Sequence, residues 1–202
     1  MDTFFGIDVA LFLRAVGYSG LFAIIFAESG LLVGFFLPGD SLLFTAGLLA
    51  SQGYFAIAVV ALGCFIAAVA GDSVGYAFGR RLGPKVFRRE RSRLFNPQHL
   101  ERARHFYQAH GAKTIVLARF IPIVRTFAPI LAGAGEMRYS LFVTFNILGA
   151  ALWALGIPLA GYFLGRAVPS IDRYLIPIVL AIILISITPI AWQGARGYFR
   201  RT

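Results

Sequence analysis

Between residues 29 and 71 the chain carries a single charged side chain, Asp40. A run this apolar does not fit around a water-facing surface. A bilayer crossing takes roughly 20 apolar residues at about 1.5 Å rise each, so this stretch alone has length for more than one. The rest of the chain agrees: 58% of its 202 residues are hydrophobic and 14% are charged, against about 25% charged in a soluble domain. Mean hydropathy is +0.76. The chain is therefore read as an all-α integral membrane protein forming one membrane domain.

The uncharged run is broken at Leu37-Pro38-Gly39-Asp40. Proline lacks a backbone donor and glycine favours a turn, so no helix continues through the pair. Asp40 is a good cap for a new helix. Residues 28–50 thus read as a re-entrant hairpin of two half-helices. Before it, residues 1–27 read as a retained N-terminal helix. Asp2 and Asp8 precede the first basic residue, Arg14, and no small-x-small cleavage site follows, unlike a signal peptide. Residues 54–79 form a full crossing. The polar stretch 80–113 holds ten of the 19 basic residues, with a surface helix expected over 97–110 after Asn96-Pro97. A second broken apolar segment, 115–135, carries Pro122 and Pro129. Residues 139–165 and 174–195 complete about four membrane-spanning helices.

The two broken segments belong to an internal repeat. At an offset of 86 residues, Ala46-Gly47 matches Ala132-Gly133 and Gly63 matches Gly149. Gly75-Tyr76-Ala77-Phe78-Gly79-Arg80 likewise matches Gly161-Tyr162-Phe163-Leu164-Gly165-Arg166. One crossing separates the hairpins, so they enter from opposite faces. This is an inverted-repeat, transporter-like fold. The net charge of +10 is concentrated in one juxtamembrane loop, as expected for a cytoplasmic loop near anionic lipid and not for nucleic acid binding. Both termini then fall on the cytoplasmic side. The one cysteine, Cys64, allows no intrachain disulfide.

Four charges lie where the bilayer should be: Glu28, Asp40, Arg119 and Arg125. Each costs about 2.5–3.5 kcal/mol at a helix centre on insertion scales. They must pair, reach water or serve a ligand. The two acids lie on one broken segment and the two arginines on the other. The bland reading has Asp40 capping its helix, Glu28 at the interface and the arginines snorkelling to head groups. Asp72 is an accessory candidate with Arg80: it either joins the buried set or approaches Arg80 at the cytoplasmic end. Gly71, Gly75, Gly79 and Gly83 recur every four residues and make a smooth face for helix packing. Trp153 and Tyr162 read as packing or interface anchors.

Catalytic patterns fail on context. Gly71-Asp72-Ser73-Val74-Gly75 matches a nucleophile elbow in letters, but it lies within a helix and not on a strand-to-helix turn. Gly17-Tyr18-Ser19-Gly20 has no base near it, since His99, His105 and His110 all lie in the polar loop. No His/Cys cluster has metal-ligand spacing and no glycine loop has a Walker pattern, so no cofactor is expected. The chain is read as a non-enzyme.

These residues resemble the DedA family of bacterial inner-membrane proteins, relatives of the eukaryotic VTT-domain lipid scramblases. The likeness covers about residues 20–166. It rests on Glu28 with Phe36-Leu37-Pro38-Gly39-Asp40, and on Gly71-Asp72-Ser73-Val74-Gly75-Tyr76 through Gly79-Arg80. Its most specific part is Arg119-Phe120-Ile121-Pro122-Ile123-Val124-Arg125-Thr126-Phe127-Ala128-Pro129. Ala132-Gly133, Met137, Phe142, Asn146, Gly149 and Trp153 extend it. The resemblance implies a transporter driven by the proton-motive force, which returns undecaprenyl phosphate across the bacterial inner membrane. It also implies proton coupling at Glu28 and Asp40, and phosphate binding at Arg119 and Arg125. A bulk phospholipid scramblase and a proton-coupled small-anion or drug transporter are the rival readings.

Overall fold

A computed structural model of the chain describes residues 3–4, 7–31, 39–86, 111 and 113–167. A two-residue antiparallel pairing, β1 (Thr3–Phe4) with β2 (Ile7–Asp8), precedes the helices. Then follow α1 (Val9–Gly30), α2 (Gly39–Ser51) and α3 (Ile57–Val86). The second half holds α4 (Lys113–Ala118), α5 (Pro122–Ala134), α6 (Tyr139–Ala150), a π-helical turn (Ala151–Leu155) and α7 (Gly156–Ala167). Among the described residues three helical spans are long and apolar enough to cross a membrane: Val9–Gly30, Ile57–Leu82 and Tyr139–Ala167. The surface helix expected at 97–110 and the crossing expected at 174–195 lie outside the described residues.

Two elements differ in extent from the sequence reading. The N-terminal helix does not occupy residues 1–27: it starts at Val9, after strand-forming Thr3, Phe4 and Ile7. It then runs through Glu28 to Gly30, because no breaker intervenes. It also bends at Gly17, where φ is 62° and ψ −159°. That backbone region is essentially open to glycine alone. The crossing expected at 54–79 continues through Arg80 and Arg81 to Val86, and arginine is a good helix former.

Neither broken segment is one continuous helix among its described residues, and the expected first half-helix of 28–50 falls largely on 32–38, outside them. Helix α2 has 13 residues, or about 20 Å of rise, short of a hydrocarbon core of about 30 Å. Helix α5 also has 13 residues, and α4 has six. The turn at Arg119–Ile121 between them is where Pro122 takes the first helical position, its missing donor costing nothing there.

The short helices pack across the two halves. Helix α2 lies on α7, and α5 lies on α3. The repeated glycines are the contact points. A Cβ at Gly47 would come within 2.7 Å of the Pro158 carbonyl carbon, and one at Gly161 within 3.2 Å of the Phe44 carbonyl carbon. In the mirror pair, a Cβ at Gly79 would lie 2.7 Å from the Ile130 carbonyl carbon, and one at Gly133 lies 2.9 Å from the Arg80 nitrogen. Small residues let helix backbones approach where lipid offers no hydrophobic drive to do so. Gly71 and Gly75 use the same α3 face against Gly30 of α1. On its other side α3 exposes Val59, Leu62 and Ile66, an apolar surface suited to lipid.

The core between the halves is built from Leu21, Ile25, Leu42, Leu43, Val60 and Trp153. A smaller cluster joins Tyr76, Ile115, Ala132 and Phe142. Gly79→Leu is expected to destabilise the protein by about 1–3 kcal/mol, the usual overpacking range. Gly156, with open space at its Cβ, should accept alanine with no loss. Denaturant unfolding in detergent distinguishes the two.

Candidate functional site

The structure draws the buried charges into two adjoining clusters. Arg125, in the first turns of α5, donates from Nη2 to Glu28 Oε1 at the end of α1. Its Nη1 donates to Asp40 Oδ1, at the start of α2, at 3.0 Å. Arg119, in the turn before α5, donates from Nη2 to Asp72 Oδ2 of α3. The same nitrogen donates to Asn146 Oδ1 of α6 at 2.6 Å, and Asn146 Nδ2 in turn donates to the Val69 carbonyl at 3.2 Å. Glu28, Asp72, Arg119 and Arg125 are all buried, whereas the Asp40 side chain is 21% exposed. The snorkelling reading of the arginines is thereby excluded.

Trp153 stands against both clusters. Its ring centroid lies 4.5 Å from Arg125 Cζ and 5.7 Å from Arg119 Cζ, within cation–π range. Its Nε1 donates to Asp40 Oδ1 at 2.7 Å. Two glycines make room for the charges. A Cβ at Gly39 would overlap the Glu28 carboxylate, and one at Gly149 would touch Arg119 Nε at 3.4 Å. Gly39, the first residue of α2, therefore lets Glu28 reach its place.

Two properties give the site its chemistry. Arg119 Nη1 and Arg125 Nε are buried donors without a hydrogen-bond partner among the described residues, as is the acceptor Asp72 Oδ1. Unmet donors on buried guanidiniums are suited to an anion's oxygens. The first turn of α5 has no side-chain cap, so its free N–H groups add positive potential beside Arg125. Secondly, among the described residues three carboxylates face two guanidiniums, so this set when fully ionised has one negative charge in excess.

The VTT domain matches residues 37–163. The Escherichia coli protein DedA is 47% identical over 174 residues, covering 85% of this chain and 79% of that protein. The chain belongs to the DedA family of VTT-domain membrane proteins. It is a multi-pass membrane protein. An uncharacterised membrane protein of Mycobacterium leprae is 43% identical over 203 residues, 99% of this chain and 90% of its own length. The E. coli inner membrane protein YqjA is 36% identical over 176 residues, 82% of this chain and 79% of its own. No solved structure matches the chain.

Of the residues singled out in the sequence, Glu28, Asp40, Arg119 and Arg125 come together with Asp72. Arg80 does not. It is exposed and donates to the Tyr76 hydroxyl at 3.4 Å, while Asp72 turns to Arg119. Asp72 lies two turns earlier on α3, facing the core. Trp153 and Asn146 join the site, although the sequence marks them only within the family likeness and Trp153 as an anchor. Of the two roles expected for Trp153, it fills the packing one in the core and not the interface one, and its N–H also lies on a carboxylate. An asparagine within an apolar crossing was the available signal, since a polar group there needs a partner.

Removing Arg119 leaves Asp72 buried without its cation. Arg119→Ala should therefore cost about 3–5 kcal/mol of stability. Adding Asp72→Asn to that variant should recover part of the loss, as measured by denaturant unfolding. Equal stability of the single and double variants would contradict the pairing.

Proposed function

We propose that the chain moves a lipid phosphate across the bacterial inner membrane, with undecaprenyl phosphate as the substrate and the proton-motive force as the drive. The observation that carries this reading is the pair of buried arginines with unmet donors, Arg119 Nη1 and Arg125 Nε, tethered to carboxylates from separate segments. A phosphomonoester is small, anionic and matched to guanidinium forks. Its polyprenyl tail stays in lipid while the head passes between the helices.

In this reading residues 28–50 and 115–135 act as two re-entrant hairpins of an inverted repeat. The reciprocal packing of α2 on α7 and α5 on α3 supports it. Residues 80–113 and both termini face the cytoplasm. The phosphate replaces carboxylates as the partner of Arg125 and Arg119. The acids released from them would be buried charges without partners, which is costly. Proton uptake at Glu28 or Asp40 relieves that cost, and proton release restores the ion pairs when the phosphate departs. The excess of one carboxylate over the two arginines supports a proton as the balancing charge. On this reading lipid phosphate and protons occupy the site, and no metal, organic cofactor or catalytic residue is invoked.

The test is a flip assay in proteoliposomes, comparing undecaprenyl phosphate with phosphatidylethanolamine under an imposed pH gradient. Wild type should prefer the phosphomonoester and respond to the gradient. Glu28→Gln and Asp40→Asn should lose the response. Arg125→Lys should be slowed about tenfold or more, because lysine keeps the charge but loses the planar fork. Folded Arg119→Ala and Arg125→Ala proteins that flip like wild type would overturn the site. Equal, gradient-indifferent flipping of both lipids would favour a scramblase.

A further inference from the structure

Asp40 Oδ1 accepts two hydrogen bonds: one from Arg125 Nη1 at 3.0 Å and one from Trp153 Nε1 at 2.7 Å. The two donors differ in freedom. Arg125 sits on a flexible side chain and is also claimed by Glu28. Trp153 is a rigid ring, 1% exposed, fixed in the π-helical turn between α6 and α7, a distortion that often marks functional sites. Its ring face carries the Arg125 guanidinium at 4.5 Å.

We infer that Trp153 is a positioning residue whose indole N–H keeps the Asp40 carboxylate bonded while Arg125 turns from the acids to an anion. This rests on the lipid-phosphate reading. The Asp40 side chain is 21% exposed, so losing its last protein donor would cost part of the penalty of an unmet buried acceptor and oppose the exchange. Among the described residues Asp40 has two donors, so with the indole N–H in place it loses one and not its last. The aromatic face gives Arg125 a surface to pivot on, so the guanidinium stays beside the site in both states. Trp153 thus lowers the opposition to anion binding without touching the anion.

A packing role and this role separate in a double-variant comparison. The full chain, in nanodiscs of neutral phospholipid, is titrated with a polyprenyl phosphate and with the corresponding polyprenol. The proteins are wild type, Trp153→Phe, Asp40→Asn and the double variant. Phenylalanine keeps a ring and removes the N–H. In wild type, Trp153→Phe should weaken phosphate binding about tenfold. In the Asp40→Asn background it should change binding less than about twofold, since no carboxylate remains to be stranded. Equal weakening in both backgrounds, or none in either, overturns the inference.

A spectroscopic arm stands on its own. The sequence has two tryptophans, so Trp192→Phe leaves Trp153 as the sole reporter. Asp40→Asn should shift its emission with no lipid present, and an unchanged spectrum would overturn the contact on which the inference depends. In Trp192→Phe, the polyprenyl phosphate should change the emission saturably and the polyprenol should not. If Asp40→Asn shifts the emission but wild type binds no polyprenyl phosphate, the lipid-phosphate reading falls and takes the switching role with it. If wild type binds and Trp153→Phe binds equally well, the inference alone falls.

Discussion

A guanidinium inside an apolar protein must be matched by charge and hydrogen bonds, and this requirement organises the molecule. Arg125 ties the end of α1 to the start of α2 through Glu28 and Asp40. Arg119 ties α3 to α6 through Asp72 and Asn146. Neither arginine is satisfied by its own segment. Both broken segments therefore have to meet the long helices at one level. Such pairs contribute little net stability, because desolvation offsets attraction. They are, however, expensive to break singly, so the arrangement is strongly specified.

Close helix approach makes this meeting possible. Gly47, Gly79, Gly133 and Gly161 bring the 13-residue helices α2 and α5 against backbone of α7 and α3. At the site itself Gly39 and Gly149 do the same for charged side chains. The glycines and the charges are thus parts of one device. The first bring backbones near enough for the second to pair, and the pairing holds ends of helices that apolar contact alone would not orient.

Much of this was legible in the residues. The membrane class followed from 43 residues with one charge, Asp40, and the helix break from Pro38-Gly39. The four intramembrane charges were conspicuous because each is costly alone. The pairing was less legible. Asp72 has Arg80 two turns along the same helix, and the sequence alone left either Arg80 or the other broken segment as its partner. Only the packing of α5 on α3 decides between them. Trp153 was hidden because an aromatic in an apolar helix is normally packing, and its N–H contact comes from a residue 113 positions away. The bend at Gly17 and the start of α1 at Val9 depend on local backbone geometry that hydropathy does not register.

Arg125 is held by the Glu28 and Asp40 carboxylates, and the proposed function requires that a phosphate replace them when the protein is loaded. Solid-state NMR with guanidino-¹⁵N-labelled arginine and ³¹P in the lipid phosphate measures that exchange directly. A close ¹⁵N–³¹P coupling is expected in the loaded protein. It should lose its Arg125 component in Arg125→Lys and its Arg119 component in Arg119→Lys. Loaded wild-type protein with no arginine-to-phosphorus coupling, or a coupling indifferent to both substitutions, would contradict the account.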